Sequence, residues 1–147
     1  MHTDTVKRFA AVLMLSSSLT LVSLVEPAQA RGSDWDLYAN SGYTYCDAKL
    51  IGDLWGISVE QAKVQIGQKI RNGIGGNIPG VLRLSRQNGN ECAWEDTGYT
   101  YEDAEALGQL WATDTPYDAK LKVARYMTNG QRNVVERALR AAHQSGY

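Results

Sequence analysis

The chain has 147 residues, of which 15 are lysine or arginine and 16 are aspartate or glutamate, so its net charge is −1. A nearly neutral chain lacks the long-range attraction that a strongly basic protein exerts on nucleic acid and anionic lipid, which disfavours both as partners. Its length is typical of one domain.

Residues 1–30 have the three-part pattern of a secretory signal peptide. Lys7 and Arg8 provide a positively charged start, residues 9–25 are mostly apolar, and residues 28–30 read Ala-Gln-Ala, a small-residue cleavage site. The apolar stretch of 17 residues is shorter than the roughly 20 that span a bilayer, which favours removal over a retained membrane anchor. We therefore expect export to the periplasm or the medium, with no stable membrane insertion after cleavage.

The two cysteines, Cys46 and Cys92, both lie beyond this segment. Two cysteines in an exported protein most often form one disulfide, since the compartments outside the cytoplasm are oxidising. A free reactive thiol is the alternative. The predicted bond joins the first half of the chain to the segment that leads into the second half.

The rest of the chain repeats itself. Residues 42–55 and 98–111 are identical at nine of fourteen positions, and the match continues at an offset of 57 after a one-residue insertion. Further matched pairs are Ala62-Lys63 with Ala119-Lys120, Asn72-Gly73 with Asn129-Gly130, and Leu82-Arg83 with Leu139-Arg140. We expect two tandem units, residues 31–89 and 90–147, packed together as one small domain.

Each unit reads as three helices, which predicts an all-α fold. The first helix begins at Thr44 or Thr100, with Asp47 or Asp103 three residues later, an arrangement close to a capping box. This position makes a structural role at the helix start a better interpretation of the repeated aspartates than catalysis. The apolar residues that follow have helical spacing, and no segment alternates with the period of a strand.

The second and third helices carry their own boundary signals. Caps are predicted at Ser58 and Thr115 for the second helices, and at Asn133, with Glu136 three residues later, for the last one. Glycines also fall inside both first helices, where glycine costs roughly 0.5–1 kcal/mol relative to alanine. Their repetition predicts that another helix approaches these helices closely, with a tryptophan ring filling the space.

Residues 48–70 resemble a helix-turn-helix, the motif whose second helix reads the major groove of DNA. The turn at Gly56 and the cap at Ser58 carry the resemblance. The export signal and the net charge of −1 argue against DNA binding, and the second copy has Ala112 and Pro116 in place of the glycine turn. A helical hairpin that shares the geometry is the better interpretation, so DNA binding remains a remote alternative.

Catalytic patterns are sparse. Beyond the leader the chain has one histidine, His143, which alone cannot build a multi-histidine zinc site, and we expect no cofactor or metal. Two carboxylates could serve a small envelope-directed hydrolase, but their spacing selects no pair. The available acids are Asp34, Asp36, Asp53, Glu60, Glu91, Glu95 and Asp96. This rival function stays open.

The aromatic residues are the best functional indication. The chain has four tryptophans, eight tyrosines and one phenylalanine, which lies in the leader. Tryptophan and tyrosine are favoured at interfaces because each joins an apolar face to a hydrogen-bonding tip. Tyr43, Tyr45, Tyr99 and Tyr101 form two matching loops before the first helices, and we predict that they bind ligand.

Within these loops we expect Tyr43 and Tyr99, which follow glycines, to be the exposed rings. The alternative role for Tyr45 and Tyr101 is packing onto the helix. The sequence thus favours an exported, non-enzymatic helical protein that binds a cell-envelope component or another secreted protein.

Overall fold

The computed structural model describes residues 28–113 and 115–147, with side chains from residue 33 onward. Most of the predicted signal peptide, residues 1–27, lies outside the described residues, so its cleavage stays a prediction. Among the helices that are described, none is both long enough and apolar enough to cross a bilayer.

The described part of the chain is all-helical and contains no strand, which confirms the predicted fold class. Its seven α-helices are α1 (Ala28–Ala39), α2 (Tyr45–Trp55), α3 (Val59–Arg71), α4 (Ile78–Gln87), α5 (Tyr101–Trp111), α6 (Pro116–Thr128) and α7 (Arg132–Gln144). Short 3-10 turns at Gly75–Asn77 and Trp94–Asp96 precede α4 and α5.

Most of the predicted helix starts are confirmed. Thr44 and Thr100 cap α2 and α5, each with identical backbone angles of φ −93° and ψ 169°, and Asp47 and Asp103 complete both capping boxes. The caps predicted for α3 and α6 are also complete. The two repeated aspartates therefore hold helix starts, because each accepts a hydrogen bond from the backbone N–H of its threonine.

The cap predicted at Asn133 is wrong. Helix α7 begins at Arg132, two residues before the start that a cap at Asn133 predicts, and its flanking residue Gln131 makes no side-chain cap hydrogen bond. Glu136 instead forms an ion pair with Arg132 at 2.7 Å, one helical turn away. The carboxylate is thus engaged by a cation on the helix surface and does not complete a capping box.

The repeated glycines in α2 and α5 face the turns that follow their own helices. A Cβ on Gly52 would lie 2.9 Å from the backbone oxygen of Ile57, and one on Gly108 would lie 3.1 Å from Oγ1 of Thr113. A close approach is therefore present, but the nearest atoms belong to the turns immediately downstream and not to the neighbouring helix or tryptophan ring that the sequence predicted.

Helix α1 was not predicted. It packs against α3, and the two backbones meet so closely that a Cβ on Gly67 would lie 2.0 Å from the backbone oxygen of Asp34. The buried carboxylate of Asp34 pairs with the guanidinium of Arg71 on α3 at 2.8 Å. Glycine at position 67 is thus what allows the two helices to cross.

One continuous cluster of buried side chains joins the helices of both halves. It includes Leu50 and Ile51 of α2, Ile66 of α3, Leu107 of α5 and Val123 of α6. Helix α2 packs against α3 and α4, α5 packs against α6 and α7, and α2 also contacts α6. Both halves therefore share a core.

The predicted disulfide is present between Cys46 and Cys92, whose Cα atoms are 5.7 Å apart. Both cysteines are buried in the core cluster. The backbone N–H of Cys92 also donates to Oγ1 of Thr128 on α6 at 2.9 Å. The bond thus joins the first turn of α2 to the segment between α4 and α5, at a point where that segment contacts α6.

Candidate functional site

The loop tyrosines divide into two kinds, in the opposite order to the one predicted. Tyr45 and Tyr101 are the exposed rings, at 43% and 51% of their maximal accessible area. Tyr43 and Tyr99 are half-buried and pack against the core, and this burial raises the pKa of both phenols. The prediction that Tyr43 and Tyr99 are exposed is wrong.

The position of each tyrosine relative to the helix cap explains why the exposed and half-buried rings are the reverse of those predicted. Tyr43 and Tyr99 precede the cap residue, where a hydrophobic side chain turns back onto the first turn of the helix as a staple. Tyr45 and Tyr101 are the first residues of α2 and α5, so their rings project sideways from the helix start. The pattern of the cap, rather than the neighbouring glycine, decides which ring is exposed.

The ring of each exposed tyrosine and the ring of a nearby tryptophan both contact the ammonium of the same lysine. In the first cluster, comprising Trp35, Tyr45 and Lys63, the lysine Nζ lies 5.0 Å from the tryptophan ring centroid and 4.5 Å from the tyrosine centroid. These distances are within the range of cation–π attraction. The cluster connects α1, α2 and α3.

The second cluster comprises Trp94, Tyr101 and Lys120. Its lysine Nζ lies 5.4 Å from the tryptophan centroid and 4.8 Å from the tyrosine centroid. The tryptophan belongs to the 3-10 turn before α5, which contacts α6. This turn therefore provides the tryptophan of the second cluster, as α1 provides the tryptophan of the first.

Sequence reasoning found the tyrosines of both clusters and missed the other members. The repeated Ala-Lys pairs at 62–63 and 119–120 were a usable signal, because the buried alanines explain only half of each pair. The tryptophans gave no such signal, since Trp35 and Trp94 do not match at the offset that aligns the tyrosines.

A groove of about 380 Å³ runs along α6 beside the second cluster. Its lining includes Leu121, Lys122, Arg125 and Tyr126. The ring of Tyr126 packs at 5.9 Å from that of Trp111, and Lys122 lies 4.5 Å from the same tryptophan centroid. The volume falls within the range of small-ligand sites, and its walls combine the ring of Tyr126 with two cations.

The tryptophans that end α2 and α5, Trp55 and Trp111, are both half-buried against the core. Trp55 has Lys69 at 5.3 Å from its ring centroid, much as Trp111 has Lys122. Both rings therefore contribute to packing and also reach the surface beside a cation.

Several acids considered for a hydrolase have structural partners. Asp34 lies 2.8 Å from Arg71, as an ion pair without an aligned hydrogen bond to its Oδ1, and Asp53 lies 2.9 Å from Lys49. Asp96 accepts from the backbone N–H of Ala93 at 3.0 Å. Within the described residues there is no group of three histidines, cysteines or acids that could hold a metal ion.

A third polar cluster lies where the two halves meet. The guanidinium of Arg86, near the end of α4, reaches Asp47 at 3.9 Å and donates from Nε to the backbone oxygen of Thr128. It thus bridges the start of α2 and the end of α6, close to the disulfide. Its contacts are with the protein's own groups, which gives it a structural role.

Comparison of the chain with protein-family models, curated proteins and solved structures found no match. Its function has to be inferred from its own residues.

Proposed function

We propose that the protein is an exported, non-enzymatic binding protein of the cell envelope, and that it contacts its partner through the rings of Tyr45 and Tyr101. The partner is a component of the envelope or another secreted protein. The observation that carries the proposal is the presentation of these two rings, each exposed by 43% or more while its neighbours hold it in place.

An exposed aromatic ring is a productive contact when it is already ordered. Tyr45 and Tyr101 each lie at the first residue of a capped helix, with a lysine under one face. Because these contacts restrict the rings before a partner arrives, binding loses less side-chain entropy than a free surface tyrosine would lose. Such rings are the residue type that dominates binding hot spots.

We further propose that residues 31–89 and 90–147 are two copies of one three-helix unit. The repeated sequence, the matching caps of α2 and α5 and the recurrence of the lysine–aromatic cluster support this interpretation. Two related surfaces on one body suit a ligand with repeating chemistry, because the second contact is then intramolecular.

Export is part of the proposal and rests on the pattern of residues 1–30 together with the disulfide. A buried disulfide persists outside the cytoplasm, where thiols are not kept reduced. The chain should therefore be expressed with its leader, and the mass of the recovered protein should place its first residue at Arg31.

The test uses the tryptophans of the two clusters as reporters. The exported protein is titrated with purified cell-wall fragments and with a secreted-protein fraction while tryptophan emission is recorded. We expect a saturable change in the unmodified protein, reduced at least about tenfold in apparent affinity in a Tyr45→Ala, Tyr101→Ala double variant, since two hot-spot contacts are removed.

The matched control is Tyr147→Ala, which removes a ring that is 51% exposed but lies outside both clusters. It should bind as the unmodified protein does, and circular dichroism should show all three proteins equally helical. Undiminished binding by the folded double variant would contradict the proposal, as would a flat response to both preparations.

A further inference from the structure

The two lysine–aromatic clusters are not equivalent, and the difference lies in what neutralises the lysine. In the first cluster Lys63 has its side chain only 12% exposed, and Glu60, one turn earlier on α3, lies 3.7 Å from its ammonium. Helix α1 also lies across this part of α3. The charge of the Lys63 ammonium is therefore already paired with a carboxylate of the protein.

In the second cluster the position equivalent to Glu60 is Tyr117, whose ring is 65% exposed. Within the described residues no carboxylate lies within 4.0 Å of the Lys120 ammonium, whose neighbours are the rings of Trp94 and Tyr101. The lysine thus keeps hydrogen-bond donors free for an external acceptor.

The surface around Lys120 is also more apolar than that around Lys63. Tyr117, Lys120 and Leu121 lie within one turn on the same side of α6. Tyr101 and Leu121 are each exposed by 50% or more. Together they surround an available ammonium with exposed rings and one aliphatic side chain.

Leu121, one turn after Tyr117, also lines the groove along α6, so the groove adjoins the exposed edge of α6 formed by these two residues. The groove adds Lys122 and Arg125, and neither has a carboxylate within 4.0 Å in the described residues. The equivalent positions on α3 are the uncharged Gln65 and Gln68. At these two positions the second copy alone carries positive charge, although α3 has Lys69 and Arg71 nearer its end.

Acidic residues also border this surface. Asp118 lines the groove, but its Oδ2 accepts from the backbone N–H of Thr115 at 3.0 Å and from its hydroxyl at 2.6 Å. Glu95 and Glu102 adjoin the cluster in sequence, and neither lies within 4.0 Å of its ammonium. These acids weaken attraction at long range, so recognition of an anion here depends on direct contact with the cations.

We infer that the surface formed by Trp94, Tyr101, Tyr117, Lys120 and the α6 groove binds the acid-bearing part of an acidic polysaccharide, while the first cluster, whose lysine is already paired, contributes only the ring of Tyr45. The apolar C–H face of a pyranose ring packs on the exposed aromatic rings, and an acid group on the sugar accepts from the lysine. Lys122 and Arg125 meet acid groups further along the polymer. This inference rests on the proposed binding function and adds to it a ligand class and the copy that recognises the acid group.

The chain itself supplies the variants for the test. Tyr117→Glu gives Lys120 the partner that Lys63 has in the first copy, and Lys122→Gln with Arg125→Gln restores the residue type of α3. Glu60→Tyr is the reciprocal control in the first copy. Each change introduces a residue type that the other copy carries at the same helical position, so the fold should tolerate it.

Three soluble polymers serve as probes, with tryptophan emission as the readout. Polygalacturonate has a carboxylate on each pyranose ring, dextran has the rings without charge, and polyglutamate has the charge without rings. We expect saturable binding of polygalacturonate alone, weaker at higher salt because exposed charges are screened. Tyr117→Glu and the double glutamine variant should each bind it at least about tenfold more weakly, and Glu60→Tyr should bind it normally.

Several outcomes would overturn the inference. If dextran bound as tightly as polygalacturonate, the cations would have no role in recognition. If polyglutamate bound as tightly, the aromatic rings would have none. Undiminished polygalacturonate binding by both α6 variants, or its loss in Glu60→Tyr, would place the site elsewhere and leave the proposed binding function standing. A flat response to all three polymers overturns the ligand class, whereas failure of the proposed function itself would appear as absence of binding to wall fragments and secreted proteins.

Discussion

At the scale of single residues, the two copies of the repeated sequence segment are followed by different amino acids at the helix end. The residue after α2 is Gly56, with φ 66° and ψ 35°, and the residue after α5 is Ala112, with φ 48° and ψ 47°. The left-handed conformation costs a residue with a Cβ about 1–2 kcal/mol, and glycine adopts it freely. The second copy therefore contains a strained position that the first copy avoids.

We predict that Ala112→Gly stabilises the protein by roughly 0.5–1 kcal/mol, since relief of the strain exceeds the added freedom of the unfolded chain. The reciprocal Gly56→Ala should destabilise it by about 1 kcal/mol. No atom lies within 4 Å of a Cβ built on Gly56, so conformation alone causes the effect. Urea unfolding followed by circular dichroism measures both changes, and effects of the same sign would contradict the argument.

Residue-level prediction from the sequence succeeded where the chemistry is local. A cap depends on a threonine and an aspartate three residues apart, so Thr44 and Thr100 could be assigned without knowing the fold. The lysine–aromatic cluster at Tyr45 could not be assigned, because Trp35 and Lys63 approach from other helices. Contacts of this kind arise only when the helices pack.

At the scale of helices, α1 shows why an element can escape prediction. Its sequence, Ala28–Ala39, mixes small, charged and aromatic residues without a clear apolar stripe. Helices of this length derive most of their stability from tertiary packing, and α1 packs against α3. The sequence feature that indicates this packing is Gly67 on α3. Its role becomes clear only when the position of α1 is known, because a Cβ there would meet Asp34.

We predict that Gly67→Ala destabilises the protein by about 1–3 kcal/mol, the usual cost of forcing an extra group into a packed interface. The added Cβ would lie 2.0 Å from the backbone oxygen of Asp34, so α1 must move away from α3. The denaturant midpoint should fall, and the emission of Trp35, which contacts Lys63 on α3, should change with it.

The control for this variant is Gly80→Ala in α4, where no atom lies within 4 Å of the added Cβ. Because alanine favours helix, this change should be neutral or stabilising by up to about 1 kcal/mol. The residue that aligns with Gly67 in the repeated sequence is Ala124, so the second half accommodates a Cβ at this position. A stable Gly67→Ala protein would mean that α1 does not cross α3 as closely as described.

At the scale of the whole molecule, the two halves are joined by a shared core, by Arg86 and by the disulfide. The core cluster contains residues from α2 through α7, and α2 contacts α6 directly. Arg86 connects the start of α2 to the end of α6. The sequence could predict the covalent link from two cysteines and an export signal, but not the bridging arginine, whose partners are far away in the chain.

The disulfide spans a sequence separation of 46 residues. Its removal by reduction or by a Cys46→Ala, Cys92→Ala double variant should lower the free energy of unfolding by about 4 kcal/mol, because the unfolded chain regains the freedom that the closed loop withholds. Alkylation before and after reduction checks the bond itself, since a bonded pair reacts only after reduction. Equal labelling of both samples would contradict it.

The reduced protein also tests how the halves cooperate. Because the core and Arg86 connect them without the disulfide, we expect one unfolding transition, shifted to lower denaturant and with a steeper slope, since the unfolded chain without the closed loop exposes more surface. Coincident curves from tryptophan emission and circular dichroism would support this. Two separate transitions after reduction would mean that the covalent bond, rather than the shared core, makes one cooperative unit of the two halves.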